Sequence, residues 1–218
     1  MKKDKRLKVN YVEIEEYLKS KLPLEGCGFI LVVKGRLRFF PCENDSLSPQ
    51  NHFSISPTSF LEAEEIGEIY AVVHSHVKHP YTPSPADVAS QKLHGYPWLV
   101  MGLTDTGPLI SWLDNKKETP TLYGRQFIWG VFDCFTFIRD WYEQEYGIVI
   151  PAAKYAEKFW EMGEELYLDN FESAGFVEVS MSEIQYGDIV LLDLVGGVTS
   201  HAGVYLGDNI IAHHIEGR

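Results

Sequence analysis

The chain has 218 residues, 45% of them hydrophobic and 23% charged, which is the balance of a soluble globular protein and a length suited to two domains of about a hundred residues each. Its net charge of −12 argues against a nucleic-acid partner, because holding phosphates takes clustered Lys and Arg. No apolar run is long enough to span a bilayer, and the Lys-rich start shows no signal-peptide pattern.

Three cysteines, Cys27, Cys42 and Cys134, are too few and too scattered for a disulfide framework or a Cys-rich metal site, so a reducing compartment is expected. Cys27 and Cys42 lie in or beside apolar runs and read as small buried residues. The basic start, Lys2-Lys3-Asp4-Lys5-Arg6, reads as a solvated terminus.

From Asn10 to Leu22 apolar residues recur at helical spacing and lead into a turn around Glu25. Gly28 to Val33 and Arg36 to Pro41 read as strands joined at Lys34-Gly35. Ser56-Pro57 opens a helix through Glu65, and Ile69 to Val73 is a buried strand. A helix then starts at Ser84-Pro85, and two strand-like runs follow, Trp98 to Leu103 and Leu109 to Leu113. This predicts a complete α+β domain over 1–114, with flanking helices on a mixed sheet. A polar linker at 115–120, closed by Pro120, separates it from a second α+β domain over 121–218.

His74 and His76 leave the buried strand two residues apart and therefore project from one face, so both imidazoles can reach one ion. After seven intervening residues, Ser84-Pro85-Ala86-Asp87 starts the helix and lets Asp87 swing back as an oxygen ligand. Two His and one carboxylate leave a fourth position open, the pattern of a catalytic rather than a structural metal site. Taken alone, Ser84 and Asp87 are an ordinary N-cap and N3 pair. The whole set is more specific. Pro23-Leu-Glu25-Gly-Cys-Gly28, then His-Ser-His, seven residues, then Ser-x-x-Asp resembles the motif of the JAMM/MPN metallopeptidases. That resemblance implies a zinc site at His74, His76 and Asp87, with Glu25 as general base and Ser84 stabilising the oxyanion.

In the second half, Asp133 reads as the N-cap of a helix running to Tyr146, which places Cys134 in the first turn. There, unpaired amides and the helix dipole favour thiolate. Such a nucleophile needs a base. Ser200 to Gly207 and Ile210 to His214 read as a hairpin turning at Gly207-Asp208-Asn209, which makes His201 and His213 neighbours. Asp-Cys at a helix start, Gly187-Asp188 before a strand, and His-Ala-Gly-Val-Tyr-Leu-Gly followed by Ile-Ala-His resemble the NlpC family of papain-like cell-wall cysteine peptidases. By that resemblance Cys134 is the nucleophile, His201 the base and His213 the third polar residue. His214 competes for that last role, because neighbouring strand residues face opposite sides and the register is open.

Two departures stand out. Phe127 precedes Trp129-Gly130 where the NlpC family has a Tyr whose hydroxyl assists near the oxyanion, and Phe135 follows the nucleophile where it has Ser. The aromatic segment Ala152 to Gly175 reads as helices with a buried aromatic face. The resemblance also leads us to expect further sheet beyond Arg218.

The two motifs together resemble the lambda-type K family of phage tail assembly proteins. The implied protein is a zinc- and cysteine-dependent peptidase present in the host cytoplasm during assembly and then in the virion tail. It would act on peptidoglycan stem peptides or a protein substrate and assemble with other tail-tip proteins. The alternatives are a tail assembly or structural factor with degenerate sites, or a cellular JAMM deconjugating isopeptidase.

Overall fold

The computed structural model describes residues 5–217, without the side chains of Lys5 and Leu7. Lys2 to Asp4 of the basic start and Arg218 lie outside the described residues. The chain divides into two compact units, one ending at Thr119 and the other starting at Pro120. Among the described residues no helix is long and apolar enough to cross a membrane.

The first unit is built on five strands: β1 (Cys27–Val33), β2 (Arg36–Cys42), β3 (Glu68–His76), β4 (Trp98–Thr104) and β5 (Gly107–Leu113). Their order is β2-β1-β3-β4-β5. The β3 and β4 pair is parallel and the others antiparallel, so the sheet is mixed. Lys34 and Gly35 take positive φ, 48° and 75°, as a two-residue hairpin turn with the twist of its strands requires.

Strands buried on both faces read as continuous apolar runs, and β1 and β3 do. Ile30, Ala71 and Val73 face Ile14 and Leu18 of α1 (Tyr11–Ser20). Phe29, Leu31 and Val72 face Ala63 of α2 (Pro57–Ile66), together with Trp98 and Phe53. Cys27 and Cys42 belong to this second core as buried free thiols. A third helix, α3 (Pro85–His94), crosses from β3 to β4. The polar stretch after β5 is tied to this unit: Asn115 donates to Gln91 Oε1, and Lys92 donates to Glu118.

The second unit packs α4 (Cys134–Tyr146) on an antiparallel sheet, β6 (Ile189–Leu192), β7 (His201–Tyr205) and β8 (Ile211–His213), in that order. Phe137, Ile138 and Trp141 of α4 bury against Ala202 and Val204. The turn at Gly207-Asp208-Asn209 takes three positive φ values.

The aromatic segment differs from its expected helices. It contains only a 3-10 turn, Phe159–Met162, and a five-residue helix, α5 (Leu166–Asn170). The aromatic spacing there reflects packing of irregular chain: Phe159 is buried, Tyr155 reaches Asp133 and Tyr167 reaches Cys134.

Candidate functional site

In the first unit the strand pairing assembles the site. Cys27 lies opposite His74 in the β1–β3 register, so continuing that register brings Glu25 alongside His76. Ser75, between the two histidines, points to the other face and pins this turn. Its Oγ accepts from the Gly26 amide (2.9 Å), and its own amide donates to Gly26 O (3.0 Å). Asn44 holds the turn from the other side, donating to Glu25 O (2.9 Å) and His52 O (3.0 Å). Neither Ser75 nor Asn44 was signalled by the sequence, since their work is done through backbone partners far along the chain.

His74, His76 and Asp87 converge, all three buried. His74 Nε2 lies 3.1 Å from His76 Nε2 and 3.2 Å from Asp87 Oδ1, and His76 Nε2 lies 3.1 Å from Asp87 Oδ2. Phe53 stacks on the His74 ring at 4.3 Å, and Trp98 meets it edge-on. Asp87 is placed by a capping box at the start of α3. The Ser84 amide donates to Asp87 Oδ2 (2.6 Å), and the Asp87 amide donates to Ser84 Oγ (3.1 Å). One carboxylate therefore caps the helix and faces the histidines.

The donor set fits a metal ion. His76 Nδ1 lies 3.3 Å from Pro80 O, a contact that only an N–H can make favourable, so His76 Nε2 presents a lone pair to the other two groups. Lone pairs of an imidazole and a carboxylate facing each other at this range repel unless a cation or proton lies between them. The mutual spacing is also close to the roughly 3.3 Å between ligand atoms bound at 2.0–2.1 Å in a tetrahedron. Burial lowers the His74 pKa and keeps that ring neutral. Burial alone would disfavour the Asp87 carboxylate, yet the two histidines facing it and the Ser84 amide hold its pKa well below the usual range. Glu25, 6% exposed, has its pKa pushed up to about 7 by burial, with His76 and Asp87 acting in opposite directions.

In the second unit Asp133 caps α4, accepting from the Thr136 amide (2.9 Å) while Thr136 Oγ1 accepts from the Asp133 amide (2.7 Å). Cys134 follows at the first helical position, against the backbone of Ala202 beside His201. His201 Nε2 lies 2.9 Å from His213 Nδ1. In the β7–β8 register Gly203 opposes His213, so His213 shares the face of His201, whereas His214 Nε2 donates to Arg125 O (2.9 Å).

The expected thiolate is not favoured here. Burial raises the Cys134 pKa, and the Tyr167 hydrogen bond only partly opposes it. Burial and the neighbouring His213 and His214 depress His201 to about 4. The resting pair is therefore neutral thiol and neutral imidazole. Among the described residues the side-chain partner of Cys134 is the Tyr167 hydroxyl, 3.1 Å from Sγ. Tyr155 donates to Asp133 Oδ2. In the sequence both tyrosines read only as part of a buried aromatic face, without a role of their own; the hydroxyl missing at Phe127 is the signal that could have raised one.

Comparison with known proteins yields matches to both halves. Residues 9–114 match the model of prokaryotic homologs of the JAB domain, and residues 124–218 match the NlpC/P60 family. Tail tip assembly protein K of Escherichia phage N15 is 32% identical over 203 residues, 91% of this chain and 81% of that protein. Tail tip assembly protein K of Escherichia phage lambda is 38% identical over 161 residues, 74% of this chain and 77% of that protein. A solution structure of a protein from Desulfitobacterium hafniense overlaps 49% of this chain and 80% of its own, at 24% identity and a TM-score of 0.42.

Proposed function

Because the chain belongs to the family of phage tail tip assembly protein K, we propose that it is a two-site peptidase of the tail tip, made in the host cytoplasm and carried in the virion tail. One site opens peptidoglycan stem peptides, and the other cleaves a peptide or isopeptide bond in a protein substrate. What supports this reading is that His74, His76 and Asp87 converge in one unit with the buried Glu25 feeling their charge, and that in the other Cys134 heads α4 against the backbone of Ala202 while the neighbouring His201 meets His213.

In the first unit His74, His76 and Asp87 would hold zinc, which when bound polarises a carbonyl and lowers the pKa of water. Glu25, with a pKa of about 7, accepts a proton from the attacking water and returns it to the leaving amine. Ser84 Oγ accepts from the Asp87 amide, which leaves its own hydrogen to donate to the substrate oxygen.

In the second unit His213 Nδ1 engages His201 Nε2. This leaves His201 Nδ1 to take the Cys134 proton, the nucleophile, base and orienter arrangement of covalent catalysis. The cleavage expected of the NlpC family is that of the bond between D-Glu and diaminopimelate. The partners during assembly are other tail-tip proteins.

Purified peptidoglycan digested by the intact chain, Cys134→Ala and Glu25→Ala, with released peptides identified by mass spectrometry, tests this. Products lost only with Cys134→Ala assign wall hydrolysis to the second unit and leave the first a protein substrate. Loss only with Glu25→Ala assigns it to the first. No product from any of the three favours an assembly factor with degenerate sites. Cleavage of a ubiquitin-like fusion without action on the wall favours a deconjugating isopeptidase.

A further inference from the structure

The peptidase reading leaves the second site one group short. An acyl transfer needs donors aimed at the oxygen that becomes negative, and the backbone amide of Cys134 is one such group. The position from which the NlpC family supplies a hydroxyl is Phe127 here, whose ring packs edge-on against Trp129 and His214 and has no proton to give.

The segment that was expected to be merely structural delivers a replacement. Tyr167 of α5 places its hydroxyl 3.1 Å from Cys134 Sγ, and Phe159 packs edge-on against its ring. Reacting atoms approach to about 3–3.5 Å before a bond forms, so this hydroxyl already occupies the sphere in which a substrate carbonyl must arrive. The other tyrosine of the segment is committed elsewhere, because Tyr155 donates to the capping carboxylate of Asp133. Tyr167 and Phe135 also line a cavity of about 730 Å³ whose wall includes Leu166, Phe171 and Ile189. The phenol therefore stands between the nucleophile and a space large enough for a peptide segment.

We propose that Tyr167 is a catalytic residue of the second site, the hydroxyl donor to the oxyanion, supplied from α5 in place of the tyrosine missing at Phe127. The proposal rests on Cys134 being an acylated nucleophile. In the step it serves, the Cys134 S–H proton passes to His201 Nδ1 and a bond forms from Sγ to the carbonyl carbon. The carbonyl π pair moves onto oxygen, where the Tyr167 O–H and the Cys134 N–H donate to it. Collapse of that oxygen restores the carbonyl and breaks the C–N bond, and the proton on His201 leaves with the amine. Tyr167 keeps its own proton throughout. Burial and the adjacent Cys134 raise its pKa, which holds the phenol in its protonated, donating form.

The test compares two reactions of Cys134 in the full chain. Alkylation by iodoacetamide displaces iodide and generates no oxyanion, whereas acetylation by p-nitrophenyl acetate passes through one. Both are followed by mass spectrometry of the Cys134 peptide. Tyr167→Phe is expected to slow acetylation by about a hundredfold, the effect of removing one oxyanion donor, while alkylation changes by less than about threefold. Equal changes in both rates, including the joint acceleration expected if Tyr167 merely shields the thiol, overturn the proposal, as does unchanged acetylation. Should Tyr167→Phe fail to fold, 3-fluorotyrosine at position 167 replaces it. This is a stronger donor of nearly the same shape and raises the acetylation rate relative to alkylation; an unchanged ratio refutes the role. Wall digestion decides separately: if the intact chain releases no peptide yet the two rates diverge as expected, the substrate reading fails and Tyr167 keeps its role.

Discussion

His201 offers the sharpest quantitative handle on the second unit. Its ring is 5% exposed, and burial with the nearby His213 and His214 depresses its pKa to about 4, against about 6.5 for the imidazole in an unfolded chain. Between those values the unfolded state binds a proton that the folded state refuses, so stability falls as pH falls through the window from about 6.5 to about 4. It is fully present above about 6.5. Each pKa unit is worth about 1.4 kcal/mol, so the window is worth up to about 3 kcal/mol. The readout is amide hydrogen exchange in α4 and β7, which reports the opening free energy of this unit, measured at pH 7.5, 6, 5 and 4.5. His201→Asn removes the titrating ring, so the intact chain should lose up to about 3 kcal/mol more than the variant on acidification. His214, also lowered mainly by burial, contributes acid lability to both proteins and cancels in the difference. Parallel pH dependences of the two proteins refute the reasoning. So does an intact chain that gains stability in acid, which would mean that a charged imidazole is accommodated beside Cys134.

In the first unit, zinc at a hundred times its dissociation constant should stabilise the fold by about 2.7 kcal/mol. Thermal unfolding with and without a chelator measures this, and His74→Ala or Asp87→Asn should abolish it; unchanged melting on adding zinc sinks the metal assignment. Gly102 lies opposite His76 in the β3–β4 register, and a Cβ there would stand 2.5 Å from Tyr81 Cβ and Tyr81 O. Gly102→Ala should therefore cost about 1–3 kcal/mol and weaken zinc binding by displacing the segment between His76 and Ser84. Chelator competition reads the second effect, and wild-type affinity would contradict it. Asn44→Ala removes the bond to Glu25 O. It should lower Glu25-dependent hydrolysis while leaving alkylation of Cys134 unchanged, whereas an unaltered turnover would show that the turn is held without it.

The difference in legibility between the two sites follows from how each is built. His74 and His76 share a face because strand side chains alternate, and Asp87 reaches them because a helix start places its N3 residue next to its cap. These are local rules, so the convergence at His74, His76 and Asp87 could be read from spacing. The turn at Gly207-Asp208-Asn209 likewise brings His201 to His213. What spacing does not carry is solvation. A helix start favours a thiolate only where water or a cation shares the charge, and the pKa of Cys134 rises because the thiol is buried, with Tyr167 of α5 against its sulfur. That cover comes from irregular chain about thirty residues downstream, where aromatic spacing imitates a helical face and no periodicity rule applies. Ser75 and Asn44 are illegible for a related reason, since each acts on the Glu25 turn through main-chain atoms and backbone partners leave no residue-type signature. The covering segment is also what gives this site its chemistry: it withdraws charge from the thiol at rest and supplies, through Tyr167, a hydroxyl 3.1 Å from the sulfur. A site that attacks as a neutral pair must develop its charge during the reaction, and a donor fixed beside the sulfur stabilises that developing charge more than it stabilises the resting thiol.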